Sequence, residues 1–248
     1  MLPPYNIDTL QNLNTSSEYY HQTAATNDMR EMALKQIAEQ TGMQAGLAHE
    51  SKVINTRLMM HKQQLDMTFN FNQLIYDHKL LPPVITQQTN MIKVSDDAQT
   101  IRAGGHRYEI IRQSAFVSIP PTWRDYLYMS YQQPELPNKA VLPKNNKEQE
   151  IWAHYVVKGY AKGIQQGLSI FTHNMHQLSV DFNGMVLYKR LLAKNMVSPF
   201  YVKSKSLGIT GDGNHVTIDD STMHIANQPK LLPGNTKNWK PVAIKSNK

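Results

Sequence analysis

The sequence predicts an α+β fold in which two long helical regions, at about 28–77 and 147–196, pack with short antiparallel strands and hairpins. Apolar residues recur at helical spacing through both regions, whereas the other segments are rich in β-branched residues and broken by Gly and Pro. The length of 248 residues suits one large domain or two small ones. We predict a single α+β domain over 27–244, an extended polar N-terminal arm at 1–26 and a tail at 245–248.

The first helical region begins where a stretch rich in Asn, Thr and Ser gives way to periodic apolar residues. Asp28 is placed to cap the helix, and Glu31 to reach back to the cap N–H, which together satisfy two donors of the first turn. We expect one long broken helix or two. Pro82 and Pro83 are predicted to end the region, because neither can donate a helical hydrogen bond.

Strand character follows between residues 84 and 131. Gly104 and Gly105 lie between two β-branched stretches and predict a tight hairpin there, because glycine reaches the positive φ that such a turn requires. From 132 to 146, three prolines among Asn and Lys predict a Pro-rich extended loop.

The second helical region carries an unusual glycine pattern. Gly159, Gly163 and Gly167 are four residues apart and therefore share one helix face. Each costs about 1 kcal/mol in helix propensity relative to alanine. The pattern predicts that the backbone of another helix or strand approaches this face closely. Asp181 is predicted to cap a following helix, which Pro199 ends.

The C-terminal part predicts further short strands. The glycines at 208, 211 and 213 predict a turn rather than a phosphate-binding loop, because a β-branched stretch and not a helix follows them. A second turn is expected at 219–221, between strands at 215–218 and 222–225. Trp239 and residues 242–244 form a possible closing strand.

The composition argues against several chemistries. The chain has no cysteine, which excludes disulfides, thiolate zinc sites, iron–sulfur clusters and a cysteine nucleophile. His173 and His176 lack the spacing of a helical metal site, and the chain has no G-x-S-x-G motif. We therefore predict neither a cofactor nor a metal, and these residues assemble no recognised catalytic motif. The polarity is amide-rich, with 19 Asn and 19 Gln.

The charge points only weakly to anionic partners. The 26 Lys and Arg against 19 Asp and Glu give a net charge of +7, but the basic residues are scattered along the chain. We predict no specific nucleic-acid site.

The densest aromatic segment spans residues 123–131. Trp, Tyr, Met and Arg are enriched at the centres of protein interfaces, aromatic side chains beside Arg can stack on bases, and the same residues fill ordinary cores. These alternatives stay open at the level of sequence. The candidate protein-interface residues are Trp123, Arg124, Tyr126, Tyr128 and Tyr131.

Several segments, in order along residues 28–244, resemble the DotC family of type IVB secretion systems. This family includes the TraI lipoprotein of IncI-type conjugative plasmids, which is distinct from the relaxase of the same name. The segments are REMALK at 30–35, QAGLA at 44–48, LPPV at 81–84, PPTWRxYL at 120–127, DFNGMVLY at 181–188, LLA at 191–193, NMVSP at 195–199 and GITGDG at 208–213.

The resemblance implies a non-catalytic structural subunit of an outer-membrane core complex, at the periplasmic face of the outer membrane of a Gram-negative bacterium. Its implied partners are a DotD-like lipoprotein, a DotH-like subunit and neighbouring copies in a ring that exports protein or DNA–protein cargo. Family members are lipoproteins, and this chain has neither the signal peptide nor the lipid-bearing cysteine. We expect its numbering to begin after the processed N-terminus, and the anchor to the outer membrane to lie outside it.

Two other classes of function remain as alternatives at this point. One is a periplasmic enzyme that acts on the cell wall, and the other is a basic nucleic-acid-binding protein. A scaffold requires complementary shape and hydrogen bonding rather than tuned pKa values, which suits an amide-rich, weakly charged surface.

Overall fold

The computed structural model describes residues 7, 11, 25–77, 79–97, 99–234, 237 and 239. The predicted tail at 245–248, the possible strand at 242–244 and nearly all of the predicted arm at 1–26 lie outside these residues. The fold is 50% helix and 24% strand, with two long helices and short antiparallel strand pairs. The predicted α+β class is therefore confirmed.

The chain divides into two compact units, each assembled from two separate stretches. The first unit is Met1–Thr68 with Trp123–His176, and the second is Phe69–Thr122 with Gln177–Lys248. The prediction of a single domain over 27–244 stays a prediction.

The first unit is helical. Its core joins α1 (Ala25–Met60) to the N-terminal part of α4 (Asn146–Ala193), where the buried side chains of Leu34 and Ala38 pack with those of Trp152 and Val156. These residues lie one turn apart on each helix, which is why the two apolar stripes can face each other. The helices that contribute to this unit are α1 (Ala25–Met60), α2 (Lys62–Thr68), α3 (Trp123–Leu127) and α4 (Asn146–Ala193).

The predicted close approach to the glycine face of α4 is confirmed. A Cβ on Gly159 would overlap the backbone carbonyl of Glu39, and one on Gly163 would overlap that of Met43. Moving along the chain, the next glycine, Gly167, lies against the side chain of Glu50. Since the residue numbers rise together on the two helices, α1 and α4 run parallel here.

Glycines of α1 make the same contact from the other side. Cβ atoms on Gly42 and Gly46 would overlap the backbone carbonyls of Val156 and Tyr160 in α4. Both helices therefore lack side chains where they meet, and the backbones pack directly.

The second unit combines the C-terminal part of α4 with three two-stranded antiparallel sheets, as far as the structure describes it. Its core contains the buried side chains of Ile85 from β2 and of Tyr188 and Leu191 from α4. Gly184 of α4 lies directly against Val84 and Ile85 of β2. The paired strands are β1 (Leu80–Leu81) with β4 (Ala115–Phe116), β2 (Val84–Val94) with β3 (Ile101–Arg112), and β5 (Tyr201–Gly211) with β6 (Val216–Asn227).

The first helical region is shorter than predicted and begins earlier. It ends at Thr68 rather than near 77, so Pro82 and Pro83 do not end it. A 3₁₀ turn at Phe71–Gln73 follows and buries Phe71, whose ring packs edge-on against Phe182 at 5.3 Å. The helical region therefore ends before the prolines are reached.

The predicted capping box at the start of this region is also wrong. The helix begins at Ala25, so Asp28 lies inside its first turn and not at the cap position. Glu31 instead forms ion pairs with Lys35 at 2.8 Å and with Lys147 at 3.5 Å.

Gly104 and Gly105 do not form a hairpin turn, contrary to prediction. Both lie inside β3, and the chain reverses between Val94, the last residue of β2, and Ile101, the first residue of β3. There the N–H of Ser95 donates to the carbonyl of Thr100 at 2.8 Å, and the N–H of Thr100 donates to Ser95 Oγ at 3.0 Å. Side-chain oxygens therefore build a turn that needs no glycine.

The turn predicted at residues 219–221 is also wrong, because the hairpin of β5 and β6 reverses elsewhere. Residues 219–221 lie within the continuous strand β6, and the chain reverses at 212–215, where the N–H of Asp212 donates to the carbonyl of His215 at 2.9 Å. Gly208 and Asp219, with φ of 73° and 59°, lie where the pairing of β5 and β6 shifts register. Their left-handed backbone marks β-bulges rather than a reversal.

The sequence suggested that Asp181 caps a helix, and this prediction is wrong. It lies inside the uninterrupted helix α4 and is only 1% exposed. Its carboxylate accepts hydrogen bonds from Gln177 at 3.0 Å and forms an ion pair with Arg112 of β3. An aspartate can cap a helix or form a buried ion pair with a strand residue. The residue type alone therefore does not distinguish the two roles.

Candidate protein interface

The predicted interface segment at 123–131 begins in the core of the first unit. Trp123 is 1% exposed, and its indole N–H donates to Asp66 Oδ1 at 2.7 Å. Arg124 reaches the same oxygen at 3.1 Å, and its guanidinium lies 4.2 Å from the centre of the Trp123 ring. The hydrogen bond from Trp123, together with Arg124, lowers the pKa of the Asp66 carboxyl.

The end of the segment is more accessible. Tyr126 is half-buried, whereas Tyr128 and Tyr131 are exposed. Asn55 of α1 fixes the intervening backbone by hydrogen bonds to both the N–H and the carbonyl of Met129. The structure thus gathers Trp123 and Arg124 around Asp66 and leaves two tyrosines facing outward, and the role of the five residues as an interface stays a prediction.

Exposed methionines lie on the same unit, a feature that the sequence analysis missed. α2 buries none of its side chains, and its Met67 is 80% exposed. Met60, the last residue of α1, is 76% exposed. Flexible methionine side chains are common at protein-binding surfaces. The only sequence signal for this surface is a short helical segment without an apolar stripe. A search for amphipathic helices does not detect such a segment.

The hairpin of β5 and β6, here the C-terminal hairpin, is the most exposed element of the second unit. Nearly every residue of its two strands is exposed. Its aliphatic side chains are included, since Ile209, Ile218 and Val216 are 71%, 70% and 64% exposed. None of these three side chains belongs to the described core of the second unit.

The two faces of the C-terminal hairpin differ in chemistry. One face carries Lys203 opposite His224 and Lys205 opposite Thr222. Because side chains alternate between faces, the neighbouring residues lie on the other side. That second face, here the apolar face, carries Val202 opposite Ile225, Ser204 opposite Met223, Ser206 opposite Ser221 and Gly211 opposite Val216, none of which is charged. Ile209 and Ile218 lie where the register shifts between Gly208 and Thr210, and they are not paired with each other.

The hairpin of β2 and β3 is anchored at its base and uncovered at its tip. Ile85 is buried and faces Ile110 across the two strands, and Tyr108 packs at 5.3 Å against the ring of Trp239. Towards the tip, Ile92 and Ile101 are 68% and 67% exposed. This hairpin therefore also presents aliphatic side chains beyond the core that holds it.

Neither hairpin is extended into a larger sheet within the described residues. A two-stranded hairpin alone is marginal in water, and the outer edges of its strands present N–H and carbonyl groups that can pair with another chain. Exposed aliphatic residues on such strands are typical of surfaces that another protein covers.

A metal site and a membrane-crossing helix both lack support in the described residues. Among them, no three His, Cys, Asp or Glu side chains are grouped so that they could hold a metal ion. His173 and His176 both lie on α4. No helix in the described ranges has both the length and the apolar character that a membrane-crossing helix requires.

The phenol of Tyr188, in the core of the second unit, has a raised pKa. Burial raises the pKa of Tyr188 to about 12, in a core shared with Tyr76. Its phenol therefore stays neutral well above neutral pH, which suits a packing role.

Comparison with known families gives one match. The family described as "Type IV secretory system, conjugal DNA-protein transfer" matches residues 28–241 of the chain. No curated protein sequence shows significant similarity to it.

Proposed function

Because the chain belongs to the TraI family of type IV secretory systems for conjugal DNA–protein transfer, we propose that it is a structural subunit of the outer-membrane core complex of such a system. The family relationship that the sequence motifs predicted is confirmed, over nearly the same span. Membership indicates a component of a secretion system in the cell envelope rather than an enzyme.

In the proposed arrangement, the subunit lies at the periplasmic face of the outer membrane of a Gram-negative bacterium. It assembles with a DotD-like lipoprotein, a DotH-like subunit and neighbouring copies of itself in a ring, through which DNA–protein or protein cargo leaves the cell. A lipid anchor attaches it to the membrane.

The observation that carries this proposal is the pair of hairpins whose aliphatic side chains are uncovered. Ile92 and Ile101 on one hairpin, and Ile209 and Ile218 on the other, are each about two-thirds exposed or more. Leaving such side chains in water forgoes roughly 1.5–3 kcal/mol for each residue that could be fully buried. A subunit whose neighbours cover these side chains recovers that free energy on assembly.

The amide-rich surface supports the same proposal. Asn and Gln side chains can hydrogen-bond a backbone without carrying a charge, so their desolvation in a contact costs less than that of an ion. A subunit that makes many static contacts is served by such groups, whereas an enzyme needs a cluster of ionisable groups with matched pKa values.

The test is recovery of a tagged form of the chain from gently solubilised envelopes of cells that carry the complete secretion system. Mass spectrometry of the recovered material should identify DotD-like and DotH-like subunits, and electron microscopy should show ring-shaped particles. Cells that express the tagged chain without the rest of the system are the matched control. Recovery of the chain alone from both cell types would overturn the proposal.

The two alternative functions have direct assays in the same preparation. A cell-wall enzyme releases soluble fragments from purified peptidoglycan, and single substitutions of its catalytic residues abolish that release. A nucleic-acid-binding protein binds DNA with an affinity that falls steeply as salt rises. The proposed subunit is expected to do neither.

A further inference from the structure

We propose that Glu50 binds an arginine side chain of a partner subunit, in a site next to Tyr160. The proposal rests on the proposed function, because the arginine belongs to a second protein of the assembly. It goes further by naming the residue that the partner contacts and the chemical group that the partner supplies.

The carboxylate of Glu50 is buried where α1 meets α4. The residue is 9% exposed. A Cβ on Gly167 would meet the Cβ and the Cγ of Glu50, each at 3.1 Å, so the stem of the side chain packs against the backbone of α4. So little of the residue reaches water that hydration stabilises its charge only in part. A carboxylate in such a place requires a cation or hydrogen-bond donors.

The other two buried carboxylates among the described residues have a cationic partner. Glu148, which is 8% exposed, forms an ion pair with Arg30 at 2.9 Å, and Asp181, which is 1% exposed, forms one with Arg112. Within the part of the chain that the structure describes, the carboxylate of Glu50 has neither an ion pair nor a hydrogen bond. Its environment is therefore that of a buried charge whose partner comes from elsewhere.

The side chain of Glu50 lies near an aromatic residue of α4. Gly46, one turn before Glu50, packs directly on the backbone of Tyr160. Because helical side chains point towards the N-terminus of their helix, that of Glu50 is directed back to this level. Burial and, to a smaller extent, the charge of Glu50 raise the pKa of the Tyr160 phenol, which agrees with this placement.

A carboxylate beside an aromatic ring favours a guanidinium over an ammonium group. A guanidinium is the more weakly hydrated of the two, pairs with a carboxylate through two N–H groups and stacks on aromatic rings. Arginine also supplies the cation for Glu148 and Asp181.

The source of the arginine is a second protein. The residues outside the described ranges contain no arginine, and the predicted arm at 1–26 contains no lysine either. A metal ion is a poorer match, because no three His, Cys, Asp or Glu side chains are grouped among the described residues. An arginine of a neighbouring subunit therefore pairs with Glu50 only in the assembled complex.

The first test compares one substitution at two buried positions of the purified chain. Glu50→Gln removes a charge that lacks a partner, so the midpoint of thermal unfolding should rise by at least about 2 °C. Glu148→Gln removes a paired charge and should lower the midpoint. Glu150→Gln, at an exposed position, should shift it by less than about 1 °C. An unchanged or lower midpoint for Glu50→Gln would show that the chain itself stabilises this charge, and would overturn the proposal.

The second test identifies the group that binds. N-acetylarginine amide at millimolar concentration should raise the unfolding midpoint of the parent chain at least about 1 °C more than N-acetylcitrulline amide, its neutral analogue. The difference should vanish in Glu50→Gln. Equal effects of the two compounds on the parent chain would exclude arginine and overturn the proposal. Stabilisation by calcium chloride that Glu50→Gln abolishes would identify a metal ion as the occupant and overturn it as well.

The third test uses cells with the complete secretion system. Tagged Glu50→Gln should recover at least about five-fold less of the partner subunits than the parent chain, with Glu150→Gln close to the parent. Undiminished recovery would overturn the arginine site and leave the proposed function standing. Failure of the parent chain to co-purify with any other subunit would overturn the proposed function, and with it a partner as the source of the arginine.

Discussion

Asn55 holds the backbone of Met129 with both ends of its side-chain amide. Its Nδ2 donates to the carbonyl of Met129 at 2.6 Å, and its Oδ1 accepts from the N–H of Met129 at 3.1 Å. Gln228 does the same to Ser114 in the second unit, at 3.0 and 3.1 Å. Each amide thus pairs with both backbone polar groups of one residue, as a neighbouring β-strand would.

Replacing Asn55 tests the first of these contacts. Asn55→Asp keeps the size of the side chain but removes the donor and turns a carboxylate towards the carbonyl of Met129. We expect the free energy of unfolding to fall by about 1–3 kcal/mol, because a buried carbonyl loses its partner. Urea unfolding of the purified chain measures this change.

Thr56→Ala is the control for that experiment. Thr56 follows Asn55 on α1 and donates only to Lys52 of its own helix, on an exposed surface. We expect a change within about 0.5 kcal/mol. Equal stability of Asn55→Asp and Thr56→Ala would show that the amide contact contributes nothing.

The direct packing of α1 on α4 gives a second prediction. Gly163→Ala adds a methyl group that meets the carbonyl of Met43. Alanine gains about 1 kcal/mol in helix propensity, but we expect a net loss of about 1–3 kcal/mol, since two backbones must move apart. Gly105→Ala is the control, because its methyl group would meet no atom within 4 Å. A Gly163→Ala variant more stable than the parent chain would contradict the close approach.

The start of α4 predicts a dependence on pH. Burial disfavours the charged form of Glu148, but hydrogen bonds from Arg30 at 2.9 Å and from the N–H of Lys144 at 2.9 Å outweigh it. They hold the pKa of this carboxyl below its ordinary value of 4.5. Because the pKa is lowered in the folded state, the stabilisation is complete above that ordinary value and is lost as the pH falls through the lowered one.

Glu148→Gln isolates this contribution. At about pH 7 we expect the variant to be less stable than the parent chain by about 1.5–3 kcal/mol, with the difference shrinking as the pH is lowered below the ordinary value of 4.5 and through the lowered pKa of Glu148. Urea unfolding at several pH values measures it, and Glu150→Gln, at an exposed position two residues later, is the control. A difference that stays constant over the whole range would exclude Glu148 as the titrating group.

The buried carboxylate of Asp181 gives the fourth prediction. Arg112→Ala removes its cationic partner, and we expect a loss of about 3 kcal/mol, because a buried charge then lacks compensation by that guanidinium. Combining the change with Asp181→Asn should restore part of the loss, since the charge is removed as well. Arg107→Ala, which breaks an exposed pair with Glu109, should cost less than about 1 kcal/mol. An additive double variant would contradict the coupling.

The sequence predicted the parts of the fold that depend on periodicity within one segment. The two long helices follow from apolar spacing, and the glycines at 159, 163 and 167 identified the face where another backbone comes close. Both signals are local, because a helix face is fixed by residues three and four positions apart.

Contacts between distant segments were beyond such reasoning. Asp181 has the residue type of a helix cap, but Arg112, far away in the sequence, makes it a buried ion-pair partner. Gly104 and Gly105 have the residue type of a hairpin turn, but Ser95 and Thr100 make the turn instead. In both cases a contact with a residue outside the local motif determines the structure.

The candidate interface shows the same division. The aromatic segment at 123–131 stands out by composition, but the structure buries Trp123 against Asp66. The apolar face of the C-terminal hairpin did not stand out, because an alternating strand has the same pattern whether its apolar side is covered or exposed. Only the exposure of Ile209 and Ile218 distinguishes the two cases.

The most direct test of the central claim is the size of the particle in which the chain exists in its native envelope. Detergent-solubilised envelopes from cells with the complete system are sedimented through a density gradient, and the chain is detected in each fraction. The account predicts that it sediments in a particle many times heavier than its own 28.4 kDa, together with other subunits of the secretion system. Sedimentation as a lone chain of 28.4 kDa, with those subunits in separate heavier fractions, would contradict it.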